Sequence, residues 1–264
     1  MSIRRHGRLA QLVARFLHTE EVISSSLVSP TSSPRYGRSM DLQLVDRVVL
    51  VVGGSGLIGS AIARTARAEG ATVVTAARGD DADVRLDASD DASIAAALER
   101  MLDEHGRLDA VVVAAAPAAQ TLDATRLSDP EQVSEAVDAK AMAFLRVANA
   151  VIPTMREAGF GRIVGISGQN ALLTGNITGS VRNAALIIAA KNLADELAGT
   201  GIAVNVVNPG PVSEQPRADV PAGKPGESSP EQIADLVTFL LSPRSSTSGE
   251  SIATGHKVRG AVSL

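Results

Sequence analysis

A single doubly wound α/β domain, with a parallel sheet of six to seven strands covered by helices on both faces, is the architecture this sequence predicts. Three observations carry the expectation. Short β-branched runs alternate along the chain with longer alanine- and leucine-rich segments of helical period, the pattern of successive βαβ units. The short runs are apolar almost throughout instead of at every second residue, as strands buried on both faces require. The first run also ends in a glycine-rich turn that leads straight into a helical segment.

Taken in order, the strands are expected at 47–52, 71–76, 110–114, 162–167 and 202–207, with 84–86 and 251–253 as short additions. The helices are expected at 57–69, 91–104, 130–158, 180–198 and 230–241. Right-handed crossovers between parallel strands would put helices on both faces and open a crevice at the carboxyl ends of the strands, where such sheets bind ligands.

The turn after the first strand is the most specific motif. Gly54, Gly56 and Gly59 in Gly53-Gly54-Ser55-Gly56-Leu57-Ile58-Gly59 give the spacing G-x-G-x-x-G between a strand and a helix. Glycine permits positive φ and close backbone approach, and the free N–H groups and dipole at the helix start suit a diphosphate. The alternative is a glycine turn that binds nothing. At the tip of the second strand stand Thr75, Ala77 and Arg78. An acid there would accept from ribose hydroxyls and favour NAD; Arg78 would instead meet a 2′-phosphate, so NADP is the expected dinucleotide and NAD the alternative. Asp80 and Asp81, just beyond, weaken that positive field, and a solvated Arg78 is the plain reading.

Composition narrows the function classes. The 264 residues are 45 % hydrophobic and 20 % charged, a globular balance, and cysteine is absent, which removes disulfides and thiolate chemistry. His6, His18, His105 and His256 share no metal-ligand spacing, so no metal is expected. Residues 1–39 carry a net +4, leaving about −8 on the rest, and tryptophan is absent; a nucleic-acid partner is not expected. No apolar run is long enough to span a bilayer, so no membrane partner is expected and the location should be cytoplasmic. Arginine far exceeds lysine and alanine is abundant, pointing to a GC-rich bacterial genome.

Residues 1–39 look unlike the remainder. They hold a short amphipathic stretch, 8–17, and then a Ser/Pro-rich run without periodicity. Gln11 and Arg15 spoil a secretory signal, and Glu20 and Glu21 count against an organelle transit peptide. The string from Arg8 to Pro30 resembles the conceptual translation of a transfer-RNA gene. The expectation is a disordered extension from a mis-assigned gene start, with Met40 as initiator and the domain at 40–264.

Over 44–255 the chain resembles the short-chain dehydrogenase/reductase family, whose members have a Rossmann-type fold. The residues that carry the resemblance follow the family's order. They are the loop Val51 to Gly59, Asp87-Ala88-Ser89-Asp90, Gly106-Arg107-Leu108-Asp109, Val151-Ile152-Pro153-Thr154-Met155, Gly161-Arg162-Ile163-Val164-Gly165-Ile166-Ser167, the run Ile202 to Gly210, Pro230-Glu231-Gln232-Ile233-Ala234 and Ser248-Gly249. The resemblance implies NADP(H)-linked hydride transfer between a small carbonyl compound and its alcohol. It implies cofactor contacts from Gly53, Ser55, Gly56, Leu57, Ile58, Gly59, Arg78, Asp87, Ala88, Ala115, Pro209, Gly210 and Val212, with Asp87 at the adenine and Pro209, Gly210 and Val212 beside the nicotinamide.

The family's acid–base groups are a serine, a tyrosine with a lysine that lowers its pKa, and an asparagine that holds a relay water. Their positions here carry Gly168, Gly179, Asn183 and Lys140, and the only tyrosine of the chain is Tyr36. Two readings follow. In one, the site is relocated: Lys140 supplies charge or a proton, and Ser167, Asn183, Gln169 or Asn170 orients the substrate. The candidate catalytic residues are then Lys140, Ser167 and Asn183. In the other, the protein binds dinucleotide without hydride chemistry, as a sensor, scaffold or partner subunit. For Lys140 the plain alternative is a snorkelling side chain paired with Asp138 or a facing carboxylate. The Pro-, Gly- and Ser-rich segment 213–229 should form an open or poorly ordered lid, and Glu214 should be solvated. The apolar faces of 142–155 and 184–197 serve either the core or a subunit contact, and the resemblance implies a homodimer or homotetramer.

Overall fold

A computed structural model describes residues 40–116 and 121–260. The transfer-RNA-like string and the rest of 1–39 lie outside the described residues. Seven strands, β1 (Val48–Val52), β2 (Thr72–Ala77), β3 (Val84–Arg85), β4 (Ala110–Val113), β5 (Gly161–Ile166), β6 (Ile202–Pro209) and β7 (Ser251–Thr254), form one sheet in the order β3-β2-β1-β4-β5-β6-β7. Every neighbouring pair is parallel. The order reverses between β1 and β4, which makes the carboxyl ends of those strands the switch point of a doubly wound sheet.

Alternation within the central strands explains the two layers. Leu50 and Val52 of β1 face a core shared with Phe144, Val147, Met155 and Leu186, whereas Val49 and Val51 face Ile62, Ile233, Val237 and Leu240. The first layer holds helices α2 (Asp91–His105), α4 (Ala143–Ala158) and α5 (Ile177–Glu196). The second holds α1 (Leu57–Ala68) and α6 (Pro230–Leu241). At the amino ends of the strands Asp109, 4 % exposed, accepts from the Val48 N–H, Arg47 and Arg107. Burial raises its pKa, but bonds from Arg107, the Val48 N–H and Arg47 outweigh that and hold the carboxyl below the usual range.

Two elements differ from the sequence expectation. The segment 130–158 is not one helix: α3 (Pro130–Val137), capped by the Asp129 carboxylate on the Glu131 N–H, runs into a π-helical turn at Asp138–Met142 before α4 begins. A π turn inserts one extra residue and rotates its side chains off the helical register, so periodicity alone does not reveal it. Helix α5 begins at Ile177, three residues earlier than expected, because the Asn176 side chain caps it on the Gly179 N–H (2.8 Å).

The segment 213–229 is not an open flap. Glu227 accepts from the Arg217 backbone N–H (2.9 Å) and side chain (2.7 Å), and the Gly226 N–H donates to the His256 carbonyl. The Gly223 N–H donates to the Arg259 carbonyl, the Arg259 N–H to the Lys224 carbonyl, and the Arg259 guanidinium to the Val220 carbonyl. The stretch after β7 therefore straps this segment down. Glu214 is exposed, as expected. Among the described residues no helix is long and apolar enough to cross a membrane, and no cluster of three or more His, Asp or Glu side chains is arranged to hold a metal.

Candidate active site

The crevice begins at the turn between β1 and α1. Gly53 has φ +85°, and a Cβ there would lie 2.7 Å from the Ala115 nitrogen. A Cβ on Gly59 would lie 2.2 Å from the Gly53 carbonyl oxygen, so helix α1 packs directly on the turn. Gly56 is different: a Cβ there would meet only the Gly53 oxygen, at 3.3 Å. The fold itself asks little of Gly56; the open space it leaves faces solvent at the helix start. Gly56 is also the N-cap of α1, no side chain caps it, and the first turn carries no acid. The N–H groups and positive dipole end of α1 therefore remain for an anion.

From this turn a cleft of about 440 Å³ extends over the carboxyl ends of the strands. It gathers Gly53, Ser55, Gly56, Arg78, Asp87, Ala88 and Ala115 from among the expected cofactor residues. Leu57 is exposed on the first helical turn, and Ile58 and Gly59 follow inside α1. Pro209, Gly210 and Val212 are not among its lining residues; they stand at the end of β6 and just beyond. There a Cβ on Gly210 would be 2.2 Å from the Gly226 oxygen, and Val212 bridges to Ser228.

At the tip of β2 no carboxylate faces the cleft. Thr75 is held by Asp83, which accepts from its N–H (2.8 Å) and hydroxyl (2.7 Å) and pairs with Arg67 (3.2 Å). Arg78 is exposed on the cleft wall. Asp87 accepts from the Ser89 hydroxyl and N–H, and these bonds, with the charges of Arg78 and Arg85, hold its carboxyl below the usual range.

The other end of the crevice lies where the π turn meets β5 and α5. The turn carries Lys140 inward, 7 % exposed, and its Nζ donates to the Ser167 carbonyl at 3.1 Å. The expected partner Asp138 is taken instead by Arg146 at 2.8 Å, so Lys140 is not a snorkelling surface residue. Burial first, then the charge of Arg182, pushes the Lys140 amine down to about 7. Ser167 is itself buried; its hydroxyl donates to the Asn183 backbone carbonyl (3.0 Å). The Asn183 side chain is buried too, and its Oδ1 has no hydrogen-bond partner among the described residues. Two bonds to backbone carbonyls thus bring Lys140, Ser167 and Asn183 together. The Gln169 Nε2 is committed to the Thr254 (3.0 Å) and His256 (3.3 Å) carbonyls, and Asn170 is exposed.

The glycines at 168 and 179 do not leave voids. A Cβ on Gly168 would lie 3.2 Å from the Asn183 Nδ2, and one on Gly179 would lie 3.1 Å from the Asn176 amide. Two asparagine side chains stand against the backbone where hydroxyl-bearing residues would be expected. Sequence reasoning overlooked Asn176 and Arg182, which is 4 % exposed. The signal for Arg182 was present: a cation one residue before Asn183, on the inward face of an otherwise apolar helix.

Comparison with known proteins agrees with this architecture. A family model described as enoyl-(acyl carrier protein) reductase matches residues 54–255. The 3-oxoacyl-[acyl-carrier-protein] reductase FabG of Escherichia coli (strain K12) is 31 % identical over 223 residues, covering 74 % of this chain and 90 % of that protein. An acetoacetyl-CoA reductase of Rhizobium meliloti (strain 1021) is 31 % identical over 224 residues, covering 75 % and 92 %. Among solved structures, gox2181 superposes with a TM-score of 0.70 at 24 % identity, over 81 % of this chain and 96 % of that one; levodione reductase does so with 0.70 at 23 %, over 81 % and 97 %. These two likenesses concern the fold. The family match, the level of identity to the reductases and the seven-stranded parallel sheet together establish that this chain belongs to the short-chain dehydrogenase/reductase family.

Proposed function

We propose that the protein binds NADP(H) in the crevice and reduces a small carbonyl compound, or oxidises the corresponding alcohol, with Lys140 as the proton-carrying group. The residues fit such a cofactor: the open Cβ space at Gly56 and the uncapped start of α1 suit a diphosphate. Gly53, Ser55, Gly56, Leu57, Ile58 and Gly59 would hold the diphosphate. Asp87 and Ala88 would take the adenosine, and Ala115, Pro209, Gly210 and Val212 the nicotinamide end. Arg78, on the cleft wall without an acid at the β2 tip, favours a 2′-phosphate and so NADP over NAD. When bound, the cofactor supplies a hydride to the carbonyl carbon.

The observation that carries the proposal is the charge exchange between two helices. In the resembled pattern a lysine stands on the helix that here offers Asn183, and an asparagine stands where the π turn here offers Lys140. On that reading the cation would have changed helices, and Lys140 is buried on the π turn. An amine with a pKa of about 7 donates and accepts protons readily near neutral pH. Lys140 would protonate the developing alkoxide and recover its proton from solvent, while Ser167 and Asn183 shape the pocket. The reductase relatives support this direction of reaction.

A second reading, dinucleotide binding without chemistry, draws on Gly168 and Gly179, whose neighbouring space is filled by the amides of Asn183 and Asn176. One experiment separates the two. NADPH absorbance is followed with a panel of carbonyl compounds for the native chain and for Lys140→Ala. Turnover that Lys140→Ala abolishes supports the lysine; turnover it leaves intact removes that role. Binding without oxidation across the panel favours the second reading. A homodimer or homotetramer is proposed through the outer faces of α4 and α5, where Val181 and Ile188 remain exposed, and light scattering reads the mass directly.

A further inference from the structure

One buried side chain joins two segments that lie far apart in the sequence. Gln169 follows Gly168 directly in the loop after β5 and is 1 % exposed. Its Nε2 donates to two backbone carbonyls of the strap after β7, those of Thr254 (3.0 Å) and His256 (3.3 Å). Its Oε1 has no hydrogen-bond partner among the described residues, so the amide engages through its donor end alone. The two acceptors fix that orientation, since a flipped amide would set oxygen against oxygen.

The connection runs on from the strap to the exit of β6. The His256 carbonyl also accepts from the Gly226 N–H at 2.8 Å. A Cβ on Gly226 would lie 2.6 Å from the His256 nitrogen, and a Cβ on Gly210 would lie 2.2 Å from the Gly226 oxygen. Three backbones are thus stacked in direct contact, and none can shift without its neighbour. Ser228 extends the pairing: its N–H donates to the Pro211 carbonyl (3.1 Å), and its carbonyl accepts from the Ser213 N–H (3.0 Å). Farther out, the Gly223 N–H donates to the Arg259 carbonyl and the Arg259 N–H to the Lys224 carbonyl. The stretch leaving β6 is held by 226–228, that segment by the strap, and the strap by Gln169.

We infer that Gln169 is a positioning residue: it couples the loop after β5 to the strap, and through the strap it sets the placement of Gly210 and Val212. The inference rests on the proposed cofactor reading in one respect, that the β6 exit borders the nicotinamide end of a bound dinucleotide. Two borders of the chemical end, the loop at Gly168 and the stretch 210–213, then hold their spacing through one amide. The glycine turn after β1 is fixed by other bonds, such as the Gly53 N–H on the Ala76 carbonyl at 2.8 Å. Loosening the Gln169 joint therefore acts on the nicotinamide end and leaves the diphosphate end as it was.

The test compares the purified full chain with Gln169→Met, which keeps the volume and removes the donor. Hydrogen exchange read by mass spectrometry follows the amides of Ser213, Gly223, Gly226, Ser228 and Arg259. Exchange should quicken about tenfold at these amides and stay unchanged at the glycine turn. Unchanged exchange across the strap and 213–228 would overturn the inference. Calorimetry on the same samples measures the affinity for NADPH and for 2′-phospho-ADP-ribose, which lacks the nicotinamide. Gln169→Met should bind NADPH about tenfold more weakly and the fragment as the native chain does. Equal losses for both ligands, as a general loosening would give, or no loss for either, would overturn the positioning role. Gln169→Glu, which sets an oxygen against the two carbonyls, should exceed Gln169→Met in both measurements; native behaviour in this variant also counts against the inference. Thermal unfolding reports that the variants fold. Should Gln169→Met not fold, Gln169→Asn, whose amide stops one carbon short of the carbonyls, reads the same differences. If the native chain binds neither NADPH nor the fragment, the cofactor reading falls, and the exchange measurement alone supports or overturns the coupling.

Discussion

The two ends of the crevice are built from different parts of the chain. At the β1–α1 end the groups offered to a ligand belong to the backbone, and the side chains that matter are those that are missing, at Gly53, Gly56 and Gly59. At the β5–α5 end the chemistry must come from side chains, and there the resemblance would put Gly168, Gly179, Asn183 and Lys140 at the positions of the acid–base groups. Backbone recognition needs only a turn of the right shape, so it persists while nearby side chains change. Acid–base chemistry needs particular functional groups, and their replacement alters what the site can do.

The largest expected effect tests the backbone end. Gly59→Ala drives a Cβ to within 2.2 Å of the Gly53 oxygen, and backbone cannot swing aside as a side chain does. It should cost about 1–3 kcal/mol of stability, as overpacking does, and abolish NADPH binding. Gly56→Ala, whose Cβ meets only one atom at 3.3 Å, should keep the unfolding midpoint and lose nucleotide affinity by about tenfold or more, because the obstruction falls on the ligand. Thermal unfolding with and without NADPH checks both. If the two variants behaved alike, the separation between fold glycines and ligand glycines would be wrong.

Lys140 sharpens the other end. Its folded pKa of about 7 lies below the ordinary lysine value of 10.5. Below pH 7 both states are protonated and the burial penalty is fully present. As pH rises from 7 to 10.5 the unfolded chain holds the extra proton, so stability increases across that window. Lys140→Met removes the charge. It should stabilise the protein at pH 6 by an amount on the order of a few kcal/mol, less about 1 kcal/mol for the Ser167 carbonyl left without its donor. The gain over the native chain should shrink toward pH 10. Denaturant midpoints at pH 6 and pH 9.5 measure it, and an equal difference at both would contradict a depressed lysine.

Arg78 should give a smaller effect, confined to cofactor choice. It is exposed, and a charge-assisted bond to a 2′-phosphate is worth roughly 1.5–3 kcal/mol before solvent screening reduces it. Arg78→Ala should weaken NADPH by about tenfold and leave NADH unchanged; equal weakening of both would point to a role in holding the loop instead.

The sheet was legible because parallel strands buried on both faces are written as unbroken apolar runs, as in Val48–Val52, where every residue is buried. The glycine turn was legible because its spacing is local. What escaped was the π turn at Asp138–Met142, a one-residue insertion within a pattern of the same composition, and with it the inward aim of Lys140. The strap on segment 213–229 also escaped, because its partners His256 and Arg259 come from the other side of β7 and the bonds are largely backbone. Arg182 was visible as a residue but not as a neighbour of Lys140, since 42 positions separate them and only the packing of α5 on the turn joins them.

The smallest effect expected is the most pointed test of how far the chemical end has moved. Restoring Gly179→Tyr together with Asn183→Lys replaces two family identities in one step. If the site were merely missing those groups, turnover should rise. The structure argues otherwise, because the Asn176 side chain lies 3.1 Å from the new Cβ and is committed to capping α5 on the Gly179 N–H. A tyrosine at 179 would push that cap aside at a cost of about 1 kcal/mol, and a lysine at 183 would add a third cation to an interior where Lys140 and Arg182 are already buried. NADPH consumption should therefore stay at the native level while the unfolding midpoint drops slightly. A clear gain in turnover would mean that the ancestral arrangement is still latent and that Lys140 has not taken over its work.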